Sequence, residues 1–181
     1  MPHYRRAKSP GASYFFTVVT HHRRPILTKP DSRRALRQAI NDVRIIHPFT
    51  IDAWVLLPEH LHCIWTLPNG DCDFSKRWGM IKSRFSKQVG PLIQHEAPLS
   101  ESRRKHREAS IWQRRFWEHQ IRDEHDYNTY IDYIHYNPVK HGLVSQVTDW
   151  PYSTFHKYVN EGLYPDDWGA GVIAAEGDFG E

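Results

Sequence analysis

"FTIDAWVLLPEHLHCIWTL" occupies residues 49–67 and decides the fold. It contains two apolar, β-branched and aromatic runs, 49–57 and 60–67, broken by Pro58-Glu59. Both runs predict strands, and so short a connection permits only an antiparallel hairpin. Pro68-Asn69-Gly70 closes the second strand. His60 and His62 lie inside that strand, one residue apart. Side chains at i and i+2 share a face, so the two imidazoles stand about 7 Å apart along it while Leu61 and Cys63 face the other way. Such a pair can converge on one divalent ion if a third donor comes from elsewhere. Taken alone, it equally describes two hydrogen-bonded polar residues on a half-exposed sheet face.

The flanking sequence supplies the rest of a fold. "SYFFTVVT" (13–20) predicts a strand, followed by the basic loop "HHRRPIL". Pro30-Asp31-Ser32 opens a helix in which Ala35, Leu36, Ala39, Ile40 and Val43 recur at helical spacing, and His47-Pro48 ends it. Residues 73–89 predict a basic amphipathic helix with Phe74, Trp78, Ile81 and Phe85 on one face. Residues 90–110 predict a long exposed loop, and "WQRRFWEHQI" (112–121) a fourth strand. "DEHDYNTYIDYIHYN" (123–137) is a helix that opens with acids, as the helix dipole favours, and stops at Pro138. A short helix is expected over about 151–160. The first six elements, β-α-β-β-α-β, match the ferredoxin-like split βαβ pattern. The expected class is therefore α+β: an antiparallel sheet with helices on one face, plus an additional C-terminal helix.

Composition narrows the function. The chain has 181 residues, 39% hydrophobic and 13% aromatic, which suits one globular domain. It has no apolar run near the length of a membrane span and no apolar segment after its basic start, so neither a span nor a secretory signal is expected. Two cysteines imply no disulfide framework, and a reducing cytosol is the default. The 24 bases and 15 of the 21 acids fall in residues 1–160, a net of +9, and the other six acids fall in 161–181. A catalytic unit over 1–160 with an acidic tail over 161–181 is expected. The basic body suits a polyanionic partner, and ordinary surface charge with a frayed tail is the alternative.

The helix at 123–137 carries four tyrosines. Tyr133 and Asn137 are four apart and share a face one turn apart. The Asn carboxamide oxygen is a hard donor suited to Mg²⁺ or Mn²⁺. A tyrosine one turn earlier would bring its hydroxyl towards a phosphate held there. Tyr136 points away from Asn137, and Tyr130 lies two turns from it. An aromatic stripe of this kind also describes a helix packed on a core. Lys140 and His141, in "NPVKHG", can assist a proton or a phosphate, or stand as surface residues at a helix end.

The clustered motifs "LPEHLHCIW" and "YIHYNPVKHGLV" resemble those of the single-tyrosine HUH transposases, named for their His-hydrophobic-His motif. The resemblance is closest to the REP-associated tyrosine transposases of bacteria. It extends through "YRRAKSPGASYFFTVVT", "RWGMIKSRFS", "IWQRRFWEHQIRDEHDY" and "VSQVTDWPYSTFHKYV". Residues 97–110 look longer than the family usually has there. The resemblance implies that Tyr133 attacks single-stranded DNA, forming a 5′-phosphotyrosine link and releasing a 3′-hydroxyl. It implies His60, His62 and Asn137 as ligands of Mg²⁺ or Mn²⁺. It further implies a REP or BIME hairpin with a GTAG-like flank as partner, a monomer, no membrane, and a cytoplasmic, nucleoid-associated location. Candidate DNA contacts are the basic clusters Arg5-Arg6, Arg23-Arg24, Arg103-Arg104-Lys105 and Arg114-Arg115. Where exposed, Trp78, Trp112, Phe116 and Trp117 can stack on bases. A noncatalytic hairpin-binding regulator and a zinc hydrolase using bound water are the competing functions.

Overall fold

The computed structural model describes residues 9–93, 111–170 and 180. Within them the elements are β1 (Ser13–Val19), α1 (Pro30–Ile46), β2 (Thr50–Leu56), β3 (His60–Thr66), α2 (Phe74–Ile93), β4 (Trp117–Gln120), α3 (Glu124–Lys140) and the short α4 (Phe155–Asn160). The four strands form one sheet in the order β2-β3-β1-β4, with every pair antiparallel. This is the ferredoxin-like order expected from the sequence.

Strand alternation sorts the side chains into two cores. Tyr14, Phe16 and Val18 of β1 and Leu61, Cys63 and Trp65 of β3 meet α1 and α2 on one face. Trp65 and Trp78 stack there at 4.2 Å between centroids. Removing a large buried ring of this kind costs about 3–5 kcal/mol. Phe15, Ala53, Val55 and Ile64 face the other way and meet Tyr130, Ile131, Tyr133 and Ile134 of α3. A β-bulge between Ile51 and Ala53 resets β2, so that Ile51 and Trp54 both pack on the α1/α2 side. With helices on both faces, the first six residues of β3 are all buried.

Four boundaries differ from the sequence expectation. Helix α2 does not end at 89 but runs through Pro91 to Ile93, and the rest of the expected loop, 94–110, lies outside the described residues. The fourth strand is only Trp117–Gln120, with a single bridge between Thr20 and Trp112 ahead of it. Trp112 and Phe116 turn instead into the α1/α2 core. Helix α3 does not stop at Pro138 but runs on to Lys140. Proline removes one backbone donor at that point. The next amides are nevertheless bonded, His141 N to Asn137 O and Gly142 N to Val139 O, and Asn137 and Pro138 themselves are buried. Residues 151–154 are not helical. Ser153 bridges Val55, and Leu56 N donates to Tyr152 O at 2.9 Å, so this segment covers the β2 edge.

Candidate active site

His60 and His62 sit on β3 opposite Val19 and Thr17 of β1. Both are fully buried, 0% exposed, under α3, not on a half-exposed face. Their ring centroids are 4.8 Å apart. Each ring is oriented through Nδ1. His60 Nδ1 lies 3.0 Å from Glu59 Oε1. The hydrogen bond from His60 pulls the Glu59 carboxyl below its ordinary range, outweighing its burial. An ionised carboxylate only accepts, so His60 Nδ1 carries a proton, and in the neutral ring Nε2 is the lone-pair nitrogen. His62 Nδ1 lies 2.9 Å from Thr17 Oγ1, a hydroxyl able to serve in either role. Glu59 is in turn 3.8 Å from Arg23. That arginine stands on a short turn in which His22 and Arg23 both have positive φ, 55° and 49°. Positive φ is uncommon for residues with a side chain.

Helix α3 brings the second half. Its N-terminus is capped by Asp123, whose carboxylate accepts from Asp126 N at 2.8 Å. Burial would raise the Asp126 carboxyl, but hydrogen bonds from Arg122 and His119 outweigh it and hold it at about 2. From this anchored start the helix crosses the sheet. The Tyr133 ring lies 5.2 Å from that of His62, edge-on. The His141 ring lies 5.1 Å from that of His60. Asn137 is four residues from each and shares their face, so it sits between them, opposite the histidine pair. It is fully buried. Lys140, at the solvent-exposed end, donates a 3.0 Å hydrogen bond from Nζ to Tyr133 Oη.

The other tyrosines have different surroundings. Tyr130 packs on Phe15 and His119, at 4.5 and 4.6 Å between centroids. Burial pushes the Tyr127 phenol well up. Tyr136 lies against Gly169. His135, adjacent on the helix, is buried among Phe155, Tyr158 and Tyr164, and burial lowers it to about 3. It is a neutral core residue.

The structure therefore brings together His60, His62, Tyr133 and Asn137. It also adds Glu59 and Thr17, which the sequence reading passed over, and it places both Lys140, on Tyr133, and His141, beside His60, at the site. The adjacency in "PEHLH" was the one available signal for Glu59. Nothing local marks Thr17, forty-five residues from His62. Among the described residues no three His, Cys, Asp or Glu side chains form a metal cluster. The donor set at this site is two imidazoles and an amide.

Among the candidate DNA contacts, Arg5, Arg6, Arg103, Arg104 and Lys105 lie outside the described residues. Arg23 adjoins the histidines through Glu59, and Arg24 follows it in the same loop. Arg114 and Arg115 are exposed ahead of β4. Trp78 and Trp112 are buried in the core and present no face for a base; Phe116 and Trp117 are half-buried. In the tail, 171–179 and 181 lie outside the described residues, while Gly180 lies against Trp117. No helix of the described residues is long and apolar enough to cross a membrane.

Comparison with known proteins gives a consistent family. The sequence model of the family described as "Transposase IS200 like" matches residues 8–137. A REP-associated tyrosine transposase of Escherichia coli K12 is 49% identical over 95% of this chain and 93% of its own. A putative REP-associated tyrosine transposase of Haemophilus influenzae is 43% identical over 93% and 94%. A solved structure of a REP-associated tyrosine transposase bound to a REP hairpin superimposes with a TM-score of 0.84 at 47% identity, covering 100% of this chain and 98% of the other. On this evidence the chain belongs to the IS200-like transposases and, among them, to the REP-associated tyrosine transposases.

Proposed function

We propose that this transposase cuts and rejoins single-stranded DNA beside REP-type hairpins, with Tyr133 as nucleophile. The observation that carries the proposal is one tyrosine whose hydroxyl meets an ammonium while its ring lies against a buried histidine pair. Tyr133 Oη accepts from Lys140 Nζ while its ring lies against His62. The relative at 47% identity is described as bound to a REP hairpin, which supports the same partner here.

In the proposed step Tyr133 Oη attacks the scissile phosphorus. The bond from phosphorus to the 3′ oxygen breaks, the 5′ phosphate remains on the tyrosine, the phenol proton passes to solvent, and the 3′ oxygen leaves as a hydroxyl after taking a proton from solvent. A phenol is mostly protonated near neutral pH. An ammonium 3.0 Å from Oη favours the phenolate as its proton departs. The bond energy of the phosphodiester is kept in the phosphotyrosine link, so a later 3′-hydroxyl reverses the attack without ATP.

The donor set fits a hard divalent cation. Nδ1 of each histidine is engaged within the protein, so Nε2 is the ring nitrogen that would serve as a metal ligand. His60 Nε2 and Asn137 Oδ1 are buried atoms. Two imidazole nitrogens and an amide oxygen leave open positions for phosphate oxygens, suiting Mg²⁺ or Mn²⁺. Held by His60, His62 and Asn137, that ion would supply Lewis-acid polarisation of the phosphate. The proposed unit spans residues 1–160, and Tyr164 and Trp168 at the start of the acidic tail pack onto it.

An adduct assay tests the proposal. A labelled hairpin oligonucleotide with a single-stranded flank, incubated with Mg²⁺ or Mn²⁺, should yield a denaturation-resistant protein–DNA species. Tyr133→Phe should abolish both the adduct and cleavage. Hairpin binding with no adduct in the wild type would assign a noncatalytic regulator. Cleavage surviving in Tyr133→Phe would assign a bound-water hydrolase.

A further inference from the structure

A groove outside this site lies between α1 and the edge strand β2, closed by Pro151, Tyr152 and Ser153. Its volume is about 330 Å³. Arg33, Arg37 and Arg44 line it from α1, Trp54 from β2, and Tyr152 from the covering segment. Among the described residues no carboxylate lines it. The acids of α1 turn elsewhere: Asp31 pairs with Arg34, and Asp42 meets Gln38 and Arg84. Helical rise puts Arg37 about 6 Å and Arg44 about 16 Å from Arg33. The three charges thus form a ladder the length of a few nucleotides.

The arginines are held but not neutralised. The Arg33 guanidinium lies 4.4 Å above the Tyr152 ring, and its Nε is buried with no hydrogen-bond partner among the described residues. Arg44 Nε donates to Phe49 O at 3.1 Å. Among the described residues neither Arg33 nor Arg37 has a carboxylate partner. A cation stacked on an aromatic ring keeps its outward N–H groups for an anion.

We propose that this groove is a track for single-stranded DNA, separate from the catalytic face. Phosphates would lie on Arg33, Arg37 and Arg44, with an unpaired base against Trp54. A duplex offers phosphates but no open base face, and the cavity is the size of a small-molecule site. The position also suits a continuous strand. Trp54 and Val55 of β2 pair with Cys63 and His62 of β3, but Trp54 faces α1 and α2 while the histidines face α3, so a strand joining the two regions would pass round the β2 edge of the sheet. This proposal rests on the DNA reading above and adds a second contact region to it.

The test measures binding, not cleavage, with the full chain. Fluorescence anisotropy would compare a hairpin carrying single-stranded flanks with the same hairpin lacking them, across a salt series. Arg33→Ala/Arg37→Ala should weaken the flanked hairpin about tenfold or more and leave the flankless one within about twofold. The salt slope on the flanked probe should fall by about 1.4, at about 0.7 for each lost phosphate contact. Arg37→Glu, an exposed charge reversal, should act in the same direction with an unchanged melting temperature. An iodouracil-substituted flank should crosslink at Trp54 or Tyr152. Equal weakening of both probes, or of neither, would overturn the groove assignment while wild-type adduct formation leaves the catalytic reading standing. A wild type that binds neither probe would overturn both.

Discussion

Lys140 Nζ donates a 3.0 Å hydrogen bond to Tyr133 Oη from two turns further along the same helix. The ammonium also lies 4.7 Å from the tyrosine ring. Lys140→Met removes the charge but keeps most of the stem. Cleavage should slow by about 10²-fold, as for loss of one charge-stabilising donor, while hairpin affinity stays within about twofold. If affinity falls in step with rate, Lys140 is a phosphate contact and not a partner of the nucleophile.

Chelation separates binding from chemistry. EDTA should abolish adduct formation and leave hairpin binding measurable by gel shift. Added Mn²⁺ or Mg²⁺ should restore the adduct in the wild type but not in a His60→Ala/His62→Ala variant.

Glu59 holds His60 through Nδ1. Glu59→Gln keeps the shape and removes the charge. Metal affinity should weaken by about 10–100-fold, the usual cost of losing such a supporting group, read by calorimetric Mn²⁺ titration without DNA. An unchanged affinity would mean that Glu59 serves Arg23 and the strained turn instead.

Thr17 is buried and holds His62. Thr17→Val keeps its shape but deletes the hydroxyl. Urea denaturation should show a loss of about 1–2 kcal/mol, with the metal affinity of His62 also reduced.

Asp126 sets an acid limit on stability. Its folded-state value of about 2 lies below its ordinary 3.8. The unfolded chain therefore takes the proton first as pH falls. The stabilisation is fully present above about pH 4 and is lost as pH falls towards 2. Asp126→Asn should lower the melting temperature at pH 7 and flatten its decline between pH 4 and 2. A parallel, undiminished decline in the variant would place the acid limit elsewhere.

Local periodicity carried much of this protein. Alternation of period 2 placed His60 and His62 on one face of β3, and it kept Leu61 and Cys63 on the other. Helical period did the same for Tyr133 and Asn137. Both are short-range consequences of backbone geometry, legible from any single strand or helix. The β2–β3 hairpin and the element order followed for the same reason, and the family motifs extended the reading to a function.

Tertiary structure decided the rest. Whether α3 would cover the histidine face depended on apolar Phe15, Val55 and Ile64 facing the same way as the imidazoles. Its continuation through Pro138 depended on packing that offsets a lost backbone bond, and that last turn delivers Lys140 and His141. The bulge at Asp52, the Thr17 and Glu59 supports, and the burial of Trp78 and Trp112 are likewise set by neighbours distant in sequence. Periodicity says which way a side chain points from its own element. Only the packing of one element on another says what it meets.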